Sequence, residues 1–166
     1  MSNSIFVPPV PENEPVKSYL PGSPEKIELK AKLKELRSQT IEIPLIIGGK
    51  EVKTGDMGDC RIPHNHKHLL GTYHKGGAKE VNAAAAAAKK ARKNWASMPW
   101  EARAAIFLKA AELLTGRHRA TLNAATMLGQ SKTCFQAEID AACEFIDFFK
   151  FNVSYMYDIM CEQPDS

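Results

Sequence analysis

The sequence lacks several patterns that would assign a protein class at once. Its four cysteines form no C-x-x-C pair, which removes the signature of a zinc finger or redox dithiol and favours a reduced intracellular compartment. No apolar run approaches the roughly 20 residues that span a bilayer, so no membrane span is expected. The net charge is +3, with acidic and basic residues interleaved. Because no basic patch is formed, we expect no nucleic-acid partner.

Targeting signals are also missing from the beginning of the sequence. No apolar core of a signal peptide is present there, and no arginine precedes Arg37. We therefore expect no secretory signal, and no Arg-rich transit peptide is visible. The five prolines among residues 1–22 instead disfavour regular structure, and they predict an extended arm that lies against another surface.

The remaining composition is ordinary for one domain, with 44% hydrophobic and 25% charged residues in 166. Ser23 followed by Pro24 predicts the start of an amphipathic helix over 24–38. The Gly48-Gly49 pair predicts a hairpin, and residues 59–75 suit a second short strand pair. On the first hairpin we expect one face to carry the alternating residues Ile41, Ile43, Leu45 and Ile47. Helical periodicity then predicts four helices, at about 78–96, 99–115, 117–128 and 134–160.

The predicted strands all precede a run of four consecutive helices. An arm, a few strands and four successive helices show no βαβ alternation. An arm and an incomplete set of strands would need a partner to cover them. We therefore hypothesise that the chain is the front portion of something larger.

Two short motifs resemble ligand-binding sites but are incomplete. The segment GQSKT, 129–133, resembles the end of a phosphate-binding loop, yet the residues before it are predicted to be helical rather than a strand, and Ser131 replaces the glycine next to Lys132. A helix C-cap at Gly129 followed by a turn explains it better. The segment CRIPHNHKH could place alternate histidines on one strand face, but no downstream pair completes a metal site. Its candidate ligands are Cys60, His64, His66 and His68.

Cysteine catalysis receives little support from the residues around each thiol. Cys134 lies near a predicted helix start just after Lys132, which would favour a thiolate. Cys143 follows Ala141 and Ala142 in mid-helix, and Cys161 lies near the end of the sequence. Packing or surface roles explain all three better than nucleophilic ones.

The helix 134–160 has two distinct faces. Its predicted apolar stripe consists of Phe135, Ile139, Ala142, Ile146, Phe149 and Val153. Asp140, Glu144 and Asp147 recur on another face, which taken alone indicates a solvated surface. Acid–base chemistry would require these carboxylates to converge in a dry cleft, which spacing does not establish.

Several longer stretches occur in the order seen in one enzyme family. They are ENEPVKSYLPGSPEKIELKAKLKEL, IPLIIGGKEV, PHNHKH, KNWASMPWEARAAIFLKAAELL, TMLGQSKTCFQAEIDAACEFIDFFKFN and EQPDS. Together they resemble the amino-terminal part of the Δ1-pyrroline-5-carboxylate dehydrogenase family, within the aldehyde dehydrogenase superfamily. The resemblance covers nearly the whole chain from about residue 12, and QAEIDAACEFIDFFKFN is its most specific part.

The resemblance implies the α/β aldehyde dehydrogenase fold, with this segment mostly α-helical after an extended arm and short strands. Residues 1–22 would form the arm, and residues 23–166 the incomplete N-terminal part of the NAD-binding domain. The implied reaction is NAD-dependent oxidation of L-glutamate γ-semialdehyde to glutamate in proline catabolism. The implied location is the mitochondrial matrix, with a cytoplasmic location left open, and the implied assembly is a homodimer or higher oligomer.

In that family a cysteine attacks the aldehyde, hydride passes to NAD, and a glutamate activates water to hydrolyse the thioester. Family members carry those residues downstream of the matched segment. We therefore expect no catalytic, cofactor-binding or metal-binding residue in this chain, and no activity from it alone.

One family role carries over to this segment. The resemblance implies that Glu144 faces the active-site entrance near the catalytic thiol, with Phe148 and Phe151 lining the same wall. The alternative hypothesis is a non-catalytic helical interaction module, or a truncated isoform that binds a partner.

Overall fold

The computed structural model describes residues 6–162. Residues 1–5 of the predicted arm, and residues 163–166 at the end of the last matched stretch, lie outside the described residues. Residues 6–20 adopt neither helix nor strand, as their prolines predict. Hydrogen bonds attach this part of the arm to the helices at the other end of the chain.

Helices make up most of the described structure, as predicted. The first, α1, begins after Ser23, whose side chain accepts a hydrogen bond from the Lys26 N–H. The following helices match the predicted positions to within a few residues. The four helices before residue 134 are α1 (Pro24–Arg37), α2 (Ala78–Ser97), α3 (Trp100–Thr115) and α4 (Arg119–Gln130).

Five strands within residues 6–162 form two small sheets. They are β1 (Ile41–Ile43), β2 (Leu45–Ile47), β3 (Lys50–Val52), β4 (Met57–Ile62) and β5 (Asn65–His74). The order in the larger sheet is β1-β5-β4, with β1 parallel and β4 antiparallel to β5. Strands β2 and β3 form the predicted hairpin. Its turn residues Gly48 and Gly49 have φ of 58° and 76°, the left-handed conformation that a two-residue hairpin favours.

The predicted continuous face from Ile41 to Ile47 is wrong. Strand β1 belongs to the larger sheet and β2 to the hairpin, and the two are separated at Pro44. Proline has no N–H to donate to a ladder, so one strand cannot run through this position in the centre of a sheet. As a result Ile41 and Ile43 are 44% and 40% exposed.

Close packing between α3 and the last helix forms the main apolar core. Ala111, Ala142 and Ile146 are buried together, with Leu114 and Phe149 packed against them. The two alanines allow the helix backbones to approach each other. Helix α1 packs on α4 through its buried Leu29.

The helix predicted over 134–160 is helical throughout but not uniform. It consists of α5 (Cys134–Gln136), a π segment (Ala137–Cys143) and α6 (Glu144–Cys161). At the junction the Glu144 N–H donates to the carbonyl of Ile139, five residues back. Residues five apart therefore share a face, and Glu138 and Cys143 are both buried.

The π segment corrects the predicted apolar stripe. Ala142, Ile146 and Val153 are buried as predicted, but Phe135 is 65% exposed. The wider turn changes the helix register, so that Ala137 and Glu138 occupy the inward positions instead.

The predicted C-cap at Gly129 is also wrong. Helix α4 continues to Gln130, and its C-cap is Ser131, which has a left-handed φ of 57°. The Ser131 Oγ lies 2.7 Å from Nδ1 of His64. This hydrogen bond connects the β4–β5 turn to the end of α4.

Candidate functional site

The three residues expected at the site line one open cavity. Glu144, Phe148 and Phe151 share it with Asn13, Asp147, Asn152 and Tyr155, and its volume is about 400 Å³. Positions four and seven residues after Glu144 lie on the same face of an α-helix. The face of α6 between residues 144 and 155 therefore forms most of the cavity wall.

The cavity wall combines carboxylates with exposed aromatic rings. Phe148 is 62% exposed and Tyr155 is 55% exposed, and the Phe151 and Tyr155 ring centroids are 6.1 Å apart. None of the cavity-lining residues is a cation or a thiol. This wall can supply a proton acceptor and apolar contacts, but not a nucleophile.

Phe148 also lines a second, more apolar cavity of about 470 Å³. That cavity is bounded by Phe107, Phe145 and Phe149, among others. The Phe145 and Phe149 ring centroids are 4.7 Å apart. The outer surface of α6 is thus an extended aromatic surface with both cavities open on it.

The arm closes one side of the 400 Å³ cavity. The Asn13 Nδ2 donates to Oδ2 of Asp147 at 2.8 Å, and the Glu14 N–H donates to Oδ1 of Asp147 at 2.7 Å. Both oxygens of this carboxylate therefore bind the arm. The acidic face predicted to be solvated is partly covered at this position.

Beneath the arm lies a buried charge cluster centred on Arg119. Its guanidinium forms an ion pair with Glu138 and binds the Glu14 carboxylate at 2.5 Å. It also donates to the Pro15 carbonyl at 2.8 Å and lies 3.3 Å from the Cys143 sulfur. The side chains of Arg119, Glu138 and Glu14 are 3%, 0% and 5% exposed, so each charge depends on these partners.

Glu138 receives further hydrogen bonds from the arm and from α4. The Lys17 N–H donates to it at 2.8 Å, the Tyr19 hydroxyl at 2.7 Å and the Asn123 amide at 2.8 Å. Glu14 in turn accepts from Lys150 at 2.8 Å and Thr115 at 3.1 Å. The cluster thus joins the arm, α3, α4, the π segment and α6.

Hydrogen bonding determines the charge state of both buried carboxylates. Burial alone would raise the pKa of Glu138, but the donors led by Arg119 outweigh it and lower that pKa. The pKa of Glu14 is likewise lowered, because Lys150 and Arg119 outweigh its burial. Burial and the neighbouring Glu138 raise the pKa of Tyr19. At neutral pH the cluster therefore holds two carboxylates and a neutral phenol.

The buried pair Arg119 and Glu138 was not identified in the sequence. A weak signal existed, because Arg119 and Asn123 are four residues apart in a helix whose other buried positions include Ala120, Ala124 and Leu128. Two polar residues on such a face indicate a buried polar partner. The sequence did not show which of the many carboxylates that partner would be.

The thiols of Cys134 and Cys143 lack the surroundings of a nucleophile. Burial and Glu138 raise the pKa of Cys143 to about 11 and also raise the pKa of Cys134. The ammonium of Lys132, expected beside Cys134, instead binds Asp140 at 2.7 Å. All four cysteines are free thiols.

The two incomplete motifs do not become ligand sites in the described residues. Within residues 6–162, no three His, Cys, Asp or Glu side chains group as metal ligands. In GQSKT, the Thr133 N–H donates to the Gln136 side chain and the Thr133 hydroxyl caps α5. These two Thr133 groups are therefore bound within the chain, at the start of α5. None of the described helices is long and apolar enough to cross a membrane.

Comparisons with known proteins agree on one family. The sequence profile of the aldehyde dehydrogenase family matches residues 52–164. The chain is 50% identical to a Delta-1-pyrroline-5-carboxylate dehydrogenase of Agaricus bisporus over 95% of this chain and 29% of that protein. It is 45% identical to the mitochondrial enzyme of that name from Bos taurus, over 92% and 27% of the two chains.

Solved structures give the same result for the fold. The Delta-pyrroline-5-carboxylate dehydrogenase of Mycobacterium tuberculosis bound with NAD superposes with a TM-score of 0.96 and 45% identity. The match covers 99% of this chain and 31% of that one. The chain thus spans less than a third of the length of these relatives, and its fold is that of the corresponding part of an aldehyde dehydrogenase. The chain belongs to the aldehyde dehydrogenase family.

Proposed function

We propose that this chain forms part of an NAD-dependent dehydrogenase that oxidises L-glutamate γ-semialdehyde, the open form of Δ1-pyrroline-5-carboxylate, to glutamate in proline catabolism. The observation that carries the proposal is the 50% identity to the Agaricus bisporus relative over 95% of this chain. Because only 29% of that relative is covered, the activity is a proposal for the protein to which these residues contribute.

In this proposal residues 1–22 are the arm, and residues 23–166 begin the NAD-binding domain. The supporting feature is the mostly helical architecture, which superposes on a relative whose structure contains NAD. In this proposal the loops that bind NAD lie outside this segment. NAD, when bound, would accept the hydride, and this chain would form one wall of the aldehyde site.

Glu144 is the residue we propose to act at that wall. Its carboxylate lies in the open cavity with Phe148 and Phe151, where it would control entry and accept or return a proton near the reacting thiol. The two phenylalanines would contact the aliphatic part of the semialdehyde. The cavity can accommodate a small molecule, being comparable in volume to ordinary ligand sites.

The 166 residues alone would not catalyse the reaction. Oxidation of an aldehyde by this family's route begins with a thiolate, and the pKa values of Cys134 and Cys143 are raised. The exposed Cys161 lies at the far end of α6, outside the residues that line the cavity.

A chimera tests the proposal. Residues 1–166 would replace the matching part of the Agaricus bisporus relative, and NADH absorbance would follow oxidation of the semialdehyde. We expect turnover from the chimera and none from the 166 residues alone. Glu144→Gln should lower kcat/KM by about 10²-fold, whereas Glu35→Gln, a matched change of an exposed carboxylate on α1, should not. A folded chimera that lacks turnover would refute the proposal.

The alternative function, a non-catalytic interaction module, is favoured by a different observation. Helix α2 has 20 residues and none of them is buried, and Phe135 and Phe148 are both more than 60% exposed. Such faces bind partners or aggregate when uncovered. A folded chimera without turnover, together with binding of an apolar dye by the isolated chain, would favour the interaction module. Turnover by the chimera would favour the dehydrogenase.

We also propose a mitochondrial matrix location and a homodimer or higher oligomer. The location is supported by relatives named as mitochondrial, including those of Dictyostelium discoideum and Bos taurus. Fluorescence microscopy of a tagged full-length protein tests the location. Light scattering of the chimera tests the assembly.

A further inference from the structure

We infer that Glu14 on the arm is a positioning residue for the cavity wall, because it holds α6 in the orientation that presents Glu144. This inference rests on the proposed function, since it assigns the arm a role at the site proposed there. It gives a role in that function to a residue of the arm, which lies more than a hundred residues before Glu144 in the sequence.

The arm binds α6 directly after Glu144. Asp147 lies three residues further along the same helix, and both of its oxygens accept hydrogen bonds from Asn13 and Glu14, at 2.8 and 2.7 Å. A carboxylate bound through both oxygens is restricted to one orientation. The first turn of α6 is therefore attached to the arm at the edge of the cavity.

The side chain of Glu14 binds the next turn of the same helix. Its Oε2 accepts from the Lys150 ammonium at 2.8 Å, and its Oε1 accepts from Arg119 at 2.5 Å. Lys150 follows Asp147 by three residues, so Glu14 contacts two successive turns of α6 through its backbone and its side chain. Glu14 does not line the 400 Å³ cavity, so its effect on that cavity must pass through α6.

The arm also binds the helix before Glu144. Glu138, in the π segment, accepts from the Lys17 N–H at 2.8 Å and forms the buried ion pair with Arg119. A π segment inside an α-helix is rare and is frequently found at a functional site. Contacts on both sides of Glu144 thus determine how α6 is rotated about its axis.

Kinetics of the chimera test this inference, with the substitution placed outside the cavity. Glu14→Leu should raise the KM for the semialdehyde by between about 10-fold and 100-fold, because misplacement of a site residue reduces productive binding. The KM for NAD should change by less than about twofold. Glu14→Gln keeps one carbonyl acceptor. Its KM for the semialdehyde should therefore lie between the values of the parent chimera and of Glu14→Leu. Glu12→Leu is the matched control, the same change at an exposed carboxylate two residues earlier.

A milder variant covers the possibility that Glu14→Leu prevents folding. Lys150→Met removes the side-chain bond from Glu14 to α6 and leaves the backbone bond to Asp147 and the Arg119 contact, and it should also raise the KM for the semialdehyde. Amide hydrogen exchange provides a second readout. Exchange should become faster in residues 13–19 and in the first turn of α6, and remain unchanged at α1.

The results separate the two proposals. A parent chimera without turnover would refute the proposed function, and this inference with it. An active chimera in which Glu14→Leu and Lys150→Met have the same KM for the semialdehyde as Glu12→Leu would refute the inference alone. Equal amide exchange in Glu14→Leu and the parent would refute it as well.

Discussion

Arg119 on α4 and Glu138 in the π segment form an ion pair with side chains that are 3% and 0% exposed. Their positions place a guanidinium between two carboxylates at the junction of five segments of the chain. Because burial removes water from these charges, each one is stable only while its partners are present.

Removing the central cation should destabilise the protein strongly. We expect Arg119→Met to lower the free energy of unfolding by about 3–5 kcal/mol, since it leaves Glu14 and Glu138 buried with less compensation. Urea denaturation measures the change. Lys32→Met, which removes an exposed ion pair with Glu35 on α1, should cost less than about 1 kcal/mol. Equal losses in the two variants would contradict the prediction.

Stability should depend on acid pH through the buried carboxylates. The pKa values of Glu14 and Glu138 in the folded chain lie below their usual 4.5, so the unfolded chain binds more protons in this range. Their contribution to the free energy of unfolding is complete above pH 4.5. It is lost as the pH falls through their lower pKa values in the folded chain. We expect the free energy of unfolding to decrease below pH 4.5, with a smaller slope in Glu138→Gln. Parallel slopes for both proteins would count against this assignment.

Two glycines should respond in opposite directions to the same substitution. A Cβ at Gly71 would lie 2.6 Å from the Ile41 carbonyl oxygen on β1, so Gly71→Ala should destabilise the protein by about 1–3 kcal/mol. A Cβ at Gly129 meets nothing within 4 Å, and the residue lies inside α4. Gly129→Ala should therefore stabilise by about 0.5–1 kcal/mol. Thermal unfolding of both variants measures these changes. A Gly71→Ala variant that is no less stable than the parent would contradict the close approach of β1 and β5, and a destabilised Gly129→Ala would contradict the open space at Gly129.

Thiol reactivity should follow burial and charge. Cys143 is 5% exposed and its pKa is about 11, so about 10⁻³ of it is thiolate at pH 8. We expect iodoacetamide to modify the exposed Cys161 well before Cys143, as mass spectrometry of timed digests would show. In Glu138→Gln the pKa of Cys143 should fall, because a negative neighbour has been removed, and its modification should become faster. Early modification of Cys143 in the parent would contradict the buried cluster.

Local elements were largely predictable because their signals lie within a few residues. Ser23 and Pro24 marked the start of α1, and Gly48-Gly49 marked the hairpin turn. The error at Pro44 was also local, because the alternating isoleucines favour one strand whereas proline lacks the N–H that a central strand needs.

The candidate site was predictable to a smaller extent. The resemblance led to Glu144, Phe148 and Phe151, and the structure brings all three to one cavity; their roles remain predictions. Asn13 at the edge of that cavity was not foreseen, because an arm without periodicity carries no information about where it binds.

The sequence by itself determined where the helices and turns occur, since capping, proline and glycine act on neighbouring backbone. Only the tertiary structure decided that Glu14, Arg119 and Glu138 meet, and that the last helix contains a π segment. The physical reason is that a charge can be buried only where its partners converge, and that convergence depends on how distant segments pack.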